Sequence, residues 1–239
     1  MLQSNTKNKR TIGKAEVKQF ALTNLREARP MLIFITVYFI SFYILEHMTR
    51  LHYYVIESPL DRVIPFCEAF ILPYLSWFPY MVVGAGLLLF FDKPEYRRLS
   101  FMLYLGMGVF IVISALFPNI LYLRPEVMPR DNIFTRMVAQ LYRTDTPTNV
   151  TPSIHVFNTL TVVNGIAHSQ CKYARKKWVR AIFYLDGILI ILSTMFIKQH
   201  SVYDVAAAFL MFSLFYIPIY RPDLLPGRDS SKKLLRTEE

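Results

Sequence analysis

"WVRAIFYLDGILIILSTMFIKQHSVYDVAAAFLMFSLFYIPIY", residues 178–220, holds two apolar runs, near 178–197 and 200–220, with Lys198, His200 and Asp204 where the first gives way to the second. A helix crosses the bilayer core in about 17 to 25 residues, and each run is of that length. Both runs are apolar all round and lack the apolar/polar alternation of a membrane barrel strand, so they read as helices. Four similar stretches precede them, near 31–48, 70–91, 99–118 and 152–168. His155, Asn158 and Asn164 interrupt the last of these, and an interrupted span is expected to face protein or water rather than lipid.

A chain that is 54% hydrophobic and only 18% charged fits a membrane better than water. The expected fold is therefore all-α, a polytopic membrane protein built as a six-transmembrane-helix bundle. Residues 1–30 form a basic N-terminal segment, 31–220 the membrane domain and 221–239 a polar tail. The basic segment reads either as a helix lying on a lipid surface or as a solvated tail. Its charges argue against a secretory signal peptide.

Charge sets the expected orientation. Of 27 basic residues, 20 lie in the N-terminal segment, DKPEYRR, Lys172–Arg180 and the tail, all on one side of a six-span chain. The positive-inside rule then makes both the N and C termini cytoplasmic. On the other side, Arg50, Arg62, Arg124, Arg130, Arg136, Arg143 and Lys198 are nearly balanced by acidic residues. The net charge of +10 is thus a topology signal, and no aromatic-interleaved basic motif points to nucleic acid. Cys67 and Cys171 fall on opposite sides, which excludes a disulfide between them, and two isolated cysteines make no zinc site.

On this topology Lys198, His200 and Asp204 meet His155 of "TPSIHV" and Arg124 of "YLRPEV" on the outer face. His200 and Asp204 are four apart, so on a helix the carboxylate orients one imidazole nitrogen and leaves the other free as a nucleophile. Thr151 suits an N-cap and Pro152 the first helical position, which leaves the amides around Ser153 for an anion. Arg124 and Lys198 would neutralise phosphate oxygens and transition-state charge.

Arg124-Pro125, Pro152-Ser153-Ile154-His155 and the S-x6-H-x3-D run from Ser193 through His200 to Asp204 together resemble the three-part signature of the type-2 phosphatidic acid phosphatase superfamily. The resemblance covers roughly residues 118–210. It implies a six-helix enzyme of the cell membrane, without metal or other cofactor, whose active site faces the extracytoplasmic side and takes a lipid phosphate. His200 would form a phosphohistidine, Asp204 would orient it, and His155 would protonate the leaving alcohol and then activate water. Arg124, Ser153 and Lys198 would bind the phosphate. His200 must start neutral and His155 protonated, so a bell-shaped pH profile is expected.

Three positions depart from the pattern: Phe117 stands for its lysine, Thr194 for its arginine and Ile154 for its glycine. Lys198 is the candidate replacement cation, with Arg130 and Arg143 behind it. The changed motifs are similar to the branch containing inositol phosphorylceramide synthases, which passes the phosphoryl-bearing group to an alcohol. The leading expectation is a phosphatase, the alternative a lipid phosphotransferase, and a non-enzymatic lipid transporter comes third. Asp186 reads as a helix-packing partner or a substrate contact, and Glu68 as a residue that reaches the site only if its aromatic loop dips toward it. Asn149-Val150-Thr151 matches a glycosylation triplet beside the proposed phosphate site, where a glycan would obstruct, and reads as chance.

Overall fold

The computed structural model describes residues 13–48 and 50–224. Among them are seven helices: α1 (Lys14–His47), α2 (Ile71–Phe91), α3 (Lys93–Leu116), α4 (Ile133–Thr144), α5 (Ile154–His168), α6 (Lys177–Phe196) and α7 (Val202–Tyr220). Two short parallel strands, β1 (Tyr54–Val55) and β2 (Asn119–Ile120), pair between the connecting segments. Five helices (α1, α2, α3, α6 and α7) are long and apolar enough to cross a membrane. The fourth expected span, α5, has 15 residues, a rise of about 22 Å, which is shorter than a bilayer core.

Its position accounts for that. Helix α5 is packed among α2, α3, α6 and α7, and Phe157, Asn158, Thr159, Thr161, Val162 and Ile166 on it are all buried. An interrupted helix that touches protein on every side needs neither the length nor the uniform apolarity of one that meets solvent or lipid. Close approach of α3 makes the packing tight: a Cβ added at Gly106 would fall on the Phe157 ring. Helix α1 packs at the edge of the bundle against α3, with Met31 and Tyr38 buried and Phe39, Ile40 and Tyr43 exposed.

Several expected boundaries move. Helix α1 runs unbroken from Lys14 through Pro30 to His47, so the described part of the basic segment is the first half of a long helix. The Arg97 guanidinium on α3 donates to both carboxylate oxygens of Glu27 there, which ties this half to the bundle. Helix α3 starts before residue 99, because Asp92 caps Glu95 N and Pro94 stands in the first turn. The tail expected after Tyr220 continues to Leu224; the rest of it, like residues 1–12, lies outside the described residues.

The helices reverse between two ends. One gathers the segments before α2, between α3 and α5, and between α6 and α7, as the bond from Cys67 N to Phe196 O shows (3.0 Å). At the other, Ser169 Oγ donates to Asp92 Oδ2 (2.7 Å). Cys67 and Cys171 are free and lie at these opposite ends.

Candidate functional site

The end of α6 decides where His200 goes. Gln199 N donates to Thr194 O (2.9 Å) and Lys198 N to Met195 O (3.1 Å), a Schellman ending in which Lys198 takes the left-handed position (φ 56°) usually filled by glycine. Ser201 then caps α7: its Oγ accepts from Tyr203 N (3.1 Å), while its own amide donates to Asp204 Oδ2 (2.8 Å). His200 therefore stands one residue before the cap and shares no helical face with Asp204. The capping turn still brings its Nδ1 to 3.4 Å from Asp204 Oδ2. Asp204 is fully buried, and its other carboxylate oxygen accepts from Thr151 Oγ1.

The start of α5 also differs from expectation. Thr151 is not the N-cap and Pro152 not the first helical residue. Ser153 caps the helix, its Oγ accepting from Val156 N (3.4 Å). Thr151 is held elsewhere, by Asp204 and by Asn119, whose Oδ1 accepts from Val150 N (2.7 Å) and Thr151 N (3.1 Å). The Ser153 amide donates to Asp204 O (3.2 Å) and so is taken. The amides of Ile154 and His155 lie in the first turn of α5, ahead of the first intrahelical bond from Phe157 N to Ser153 O (3.0 Å). From here the His155 ring stands 5.7 Å from the His200 ring, centroid to centroid, with Tyr74 at 4.7 Å and Trp77 at 4.6 Å.

The expected phosphate-binding cations do not enter this cluster. Lys198 is buried, and its Nζ donates to the carbonyl oxygens of Asp61 (2.6 Å) and Ile64 (2.5 Å). Burial lowers its ammonium below the ordinary lysine value, against the pull of Asp61. Its side chain is a clamp on the 61–64 turn. Arg124 donates to Asp145 O (2.8 Å), Thr146 O (3.1 Å) and Gln199 Oε1 (2.5 Å), with its guanidinium 4.5 Å from the centre of the Tyr142 ring. It braces the wall beside His200, leaving a buried Nε without a partner.

The remaining candidates also have other work. Arg130 pairs with both Glu68 oxygens (2.6 Å each), and Arg143 is exposed. Asp186 accepts from Ser76 Oγ on α2 (2.9 Å), a bond between packed helices. Asn149 is buried and donates to Glu46 Oε1 (2.8 Å), which suits no glycan acceptor.

His155 and His200 open onto a cavity of about 390 Å³, walled by aromatic residues of α1 to α3 and by the segment from Leu141 to Val150. No lysine or arginine is among its lining residues; Asp145 is. The chain matches no family model, no curated protein and no solved structure.

Sequence reasoning read Asp61 and Asp145 only as balancing charges of the outer side and gave Gln199 and Asn119 no role at the site. Asp61 had a readable signal, because Ser58-Pro59-Leu60-Asp61 is a capping box. Its carboxylate accepts from Ser201 Oγ (2.6 Å) and Val202 N (2.8 Å), so it caps α7 from a distant segment. The other three act through loop contacts that no local pattern marks.

Proposed function

We propose that this protein is an integral-membrane phosphatase acting on a phosphomonoester or diphosphate lipid through a phosphohistidine. The observation that carries the reading is the His155–His200 pair on one cavity wall, 5.7 Å between ring centroids, with Asp204 behind one ring only. Asp204 faces Nδ1 of His200, which leaves Nε2 to attack phosphorus. As the P–N bond forms, the P–O bond to the lipid alcohol breaks and His155 gives that oxygen a proton. Neutral His155 then takes a proton from water, the hydroxide displaces His200 from phosphorus, and inorganic phosphate leaves. The Ile154 and His155 amides supply donors for the phosphoryl oxygens, and Arg124 adds positive charge from behind Gln199.

The membrane topology belongs to the same proposal: α5 acts as a sixth span shielded by its neighbours, with both termini cytoplasmic and the histidines at the extracytoplasmic end. Basic residues of DKPEYRR and Lys172–Arg180 at the opposite end support it.

The test is phosphate release from a panel of lipid phosphates by the purified full chain, with and without EDTA. Release that survives chelation and falls at least about a thousandfold in His200→Ala supports the reading. Release by His200→Ala at the wild-type rate overturns it. Transfer to an added alcohol without phosphate release moves the assignment to a lipid phosphotransferase.

A further inference from the structure

Asp145 is the C-cap of α4 and lines the cavity shared by His155 and His200. Nothing in the phosphohistidine chemistry uses it, and three physical costs attend its position. A carboxylate at a helix C-terminus opposes the helix dipole. Aromatic walls of Tyr38, Phe42, Trp77 and Phe110 around the same cavity remove part of its hydration. No ion pair among the described residues offsets that loss. Arg124 donates to the Asp145 carbonyl rather than to its carboxylate, and the Tyr74 hydroxyl donates to the carboxyl group, which leaves it capacity to accept further hydrogen bonds. Burial raises this carboxyl above its ordinary value, opposed by the charges of Arg124 and His200.

In a cavity that receives a phosphate, a carboxylate is also repulsive, since no lysine or arginine in the lining stands between the two anions. An apolar lipid tail has no use for it. What it suits is a hydrogen-bond donor.

We propose that Asp145 is a specificity-determining residue that accepts a hydrogen bond from a hydroxyl or ammonium group carried by the lipid close to its phosphate. The preferred substrate class is then a lipid phosphate with such a donor on the neighbouring carbon, and a fully acylated glycerol phosphate offers this carboxyl no donor. This inference rests on the proposed lipid phosphatase reading for the identity of the site, and binding separates the two.

Three phosphonates, in which carbon replaces the scissile ester oxygen, serve as ligands for the full chain in detergent. One is diacylated with no nearby donor, one monoacylated with a hydroxyl on the adjacent carbon, and one a sphingoid base with an ammonium there. The wild type is expected to bind one or both donor-bearing ligands about tenfold or more tighter than the diacyl one, and whichever ligand does so identifies the donor. Asp145→Asn should lose most of that preference while binding the diacyl ligand at least as well, and Asp145→Glu should keep part of it. Retained diacyl binding also shows that the variant is folded. Equal wild-type affinities within about twofold overturn the proposal, as does a uniform loss for all three ligands in folded Asp145→Asn. Absence of turnover of the corresponding esters would remove the phosphatase reading and leave the binding result to stand or fall by itself.

Discussion

The Lys198 ammonium and the Asp61 carbonyl oxygen are 2.6 Å apart across 137 residues of sequence, and this bond, with a second to Ile64, ties the turn before α2 to the segment that carries His200. Lys198 reaches it from a left-handed backbone conformation that favours glycine, which the clamp outweighs.

Lys198→Met is therefore expected to lower stability by about 1–3 kcal/mol, the usual loss when buried acceptors are left unpaired. KM for a lipid phosphate should change less than about threefold. Thermal unfolding and steady-state kinetics decide between this and a phosphate-binding lysine, whose removal would raise KM without lowering Tm.

Asp61 is a positioning residue for the same segment. Its carboxylate accepts from Ser58 N (2.6 Å), Ser201 Oγ (2.6 Å) and Val202 N (2.8 Å). Asp61→Ala should cost about 2 kcal/mol or more, since it strips a buried cap. Asp61→Asn keeps an acceptor oxygen and should recover part of the stability and of kcat. Equal losses in both variants would count against positioning by hydrogen bonding.

Asp145 gives a pH signature. Its folded carboxyl lies above the ordinary value of 3.8, so its contribution to stability is complete below that pH and is lost as pH rises through the folded value. Asp145→Asn does not titrate. The variant and wild type should unfold at similar temperatures near pH 3, and the variant should gain as pH rises toward 7, about 2–4 °C for each 1 kcal/mol recovered. A gap that is constant across this range refutes the raised carboxyl.

Gly106 tests the core around α5. Its Cβ would coincide with the Phe157 ring, a side chain with no exposure. Gly106→Ala should destabilise by about 1–3 kcal/mol, and Phe157→Leu in the same chain should restore part of it by making room. Simple additivity of the two losses would show that the residues do not press on each other.

If His155 serves as acid and His200 as nucleophile, kcat/KM for phosphate release should be bell-shaped in pH. His155→Gln should abolish the limb that reports the acid and leave the phosphohistidine detectable with a substrate whose alcohol leaves without protonation. A full bell in His155→Gln would assign the acid elsewhere.

What the sequence alone determined was local. Five long apolar helices follow from hydropathy within each segment, and the His200–Asp204 proximity follows from a four-residue spacing that survives even though a cap, not a helical face, creates it. Asn158 and Asn164 already marked α5 as a helix that faces protein. Only the tertiary structure decided what the charged groups do. Lys198 and Arg124 looked like phosphate ligands, but Lys198 donates to the carbonyls of the 61–64 turn and Arg124 to those of Asp145 and Thr146 and to Gln199, groups that meet them only after folding. Asp145, unmarked by any motif, reaches the cavity because α4 ends there. A helix is specified by near neighbours in the chain, whereas the partner of a buried charge is chosen by desolvation, which forces each donor to the nearest acceptor in space.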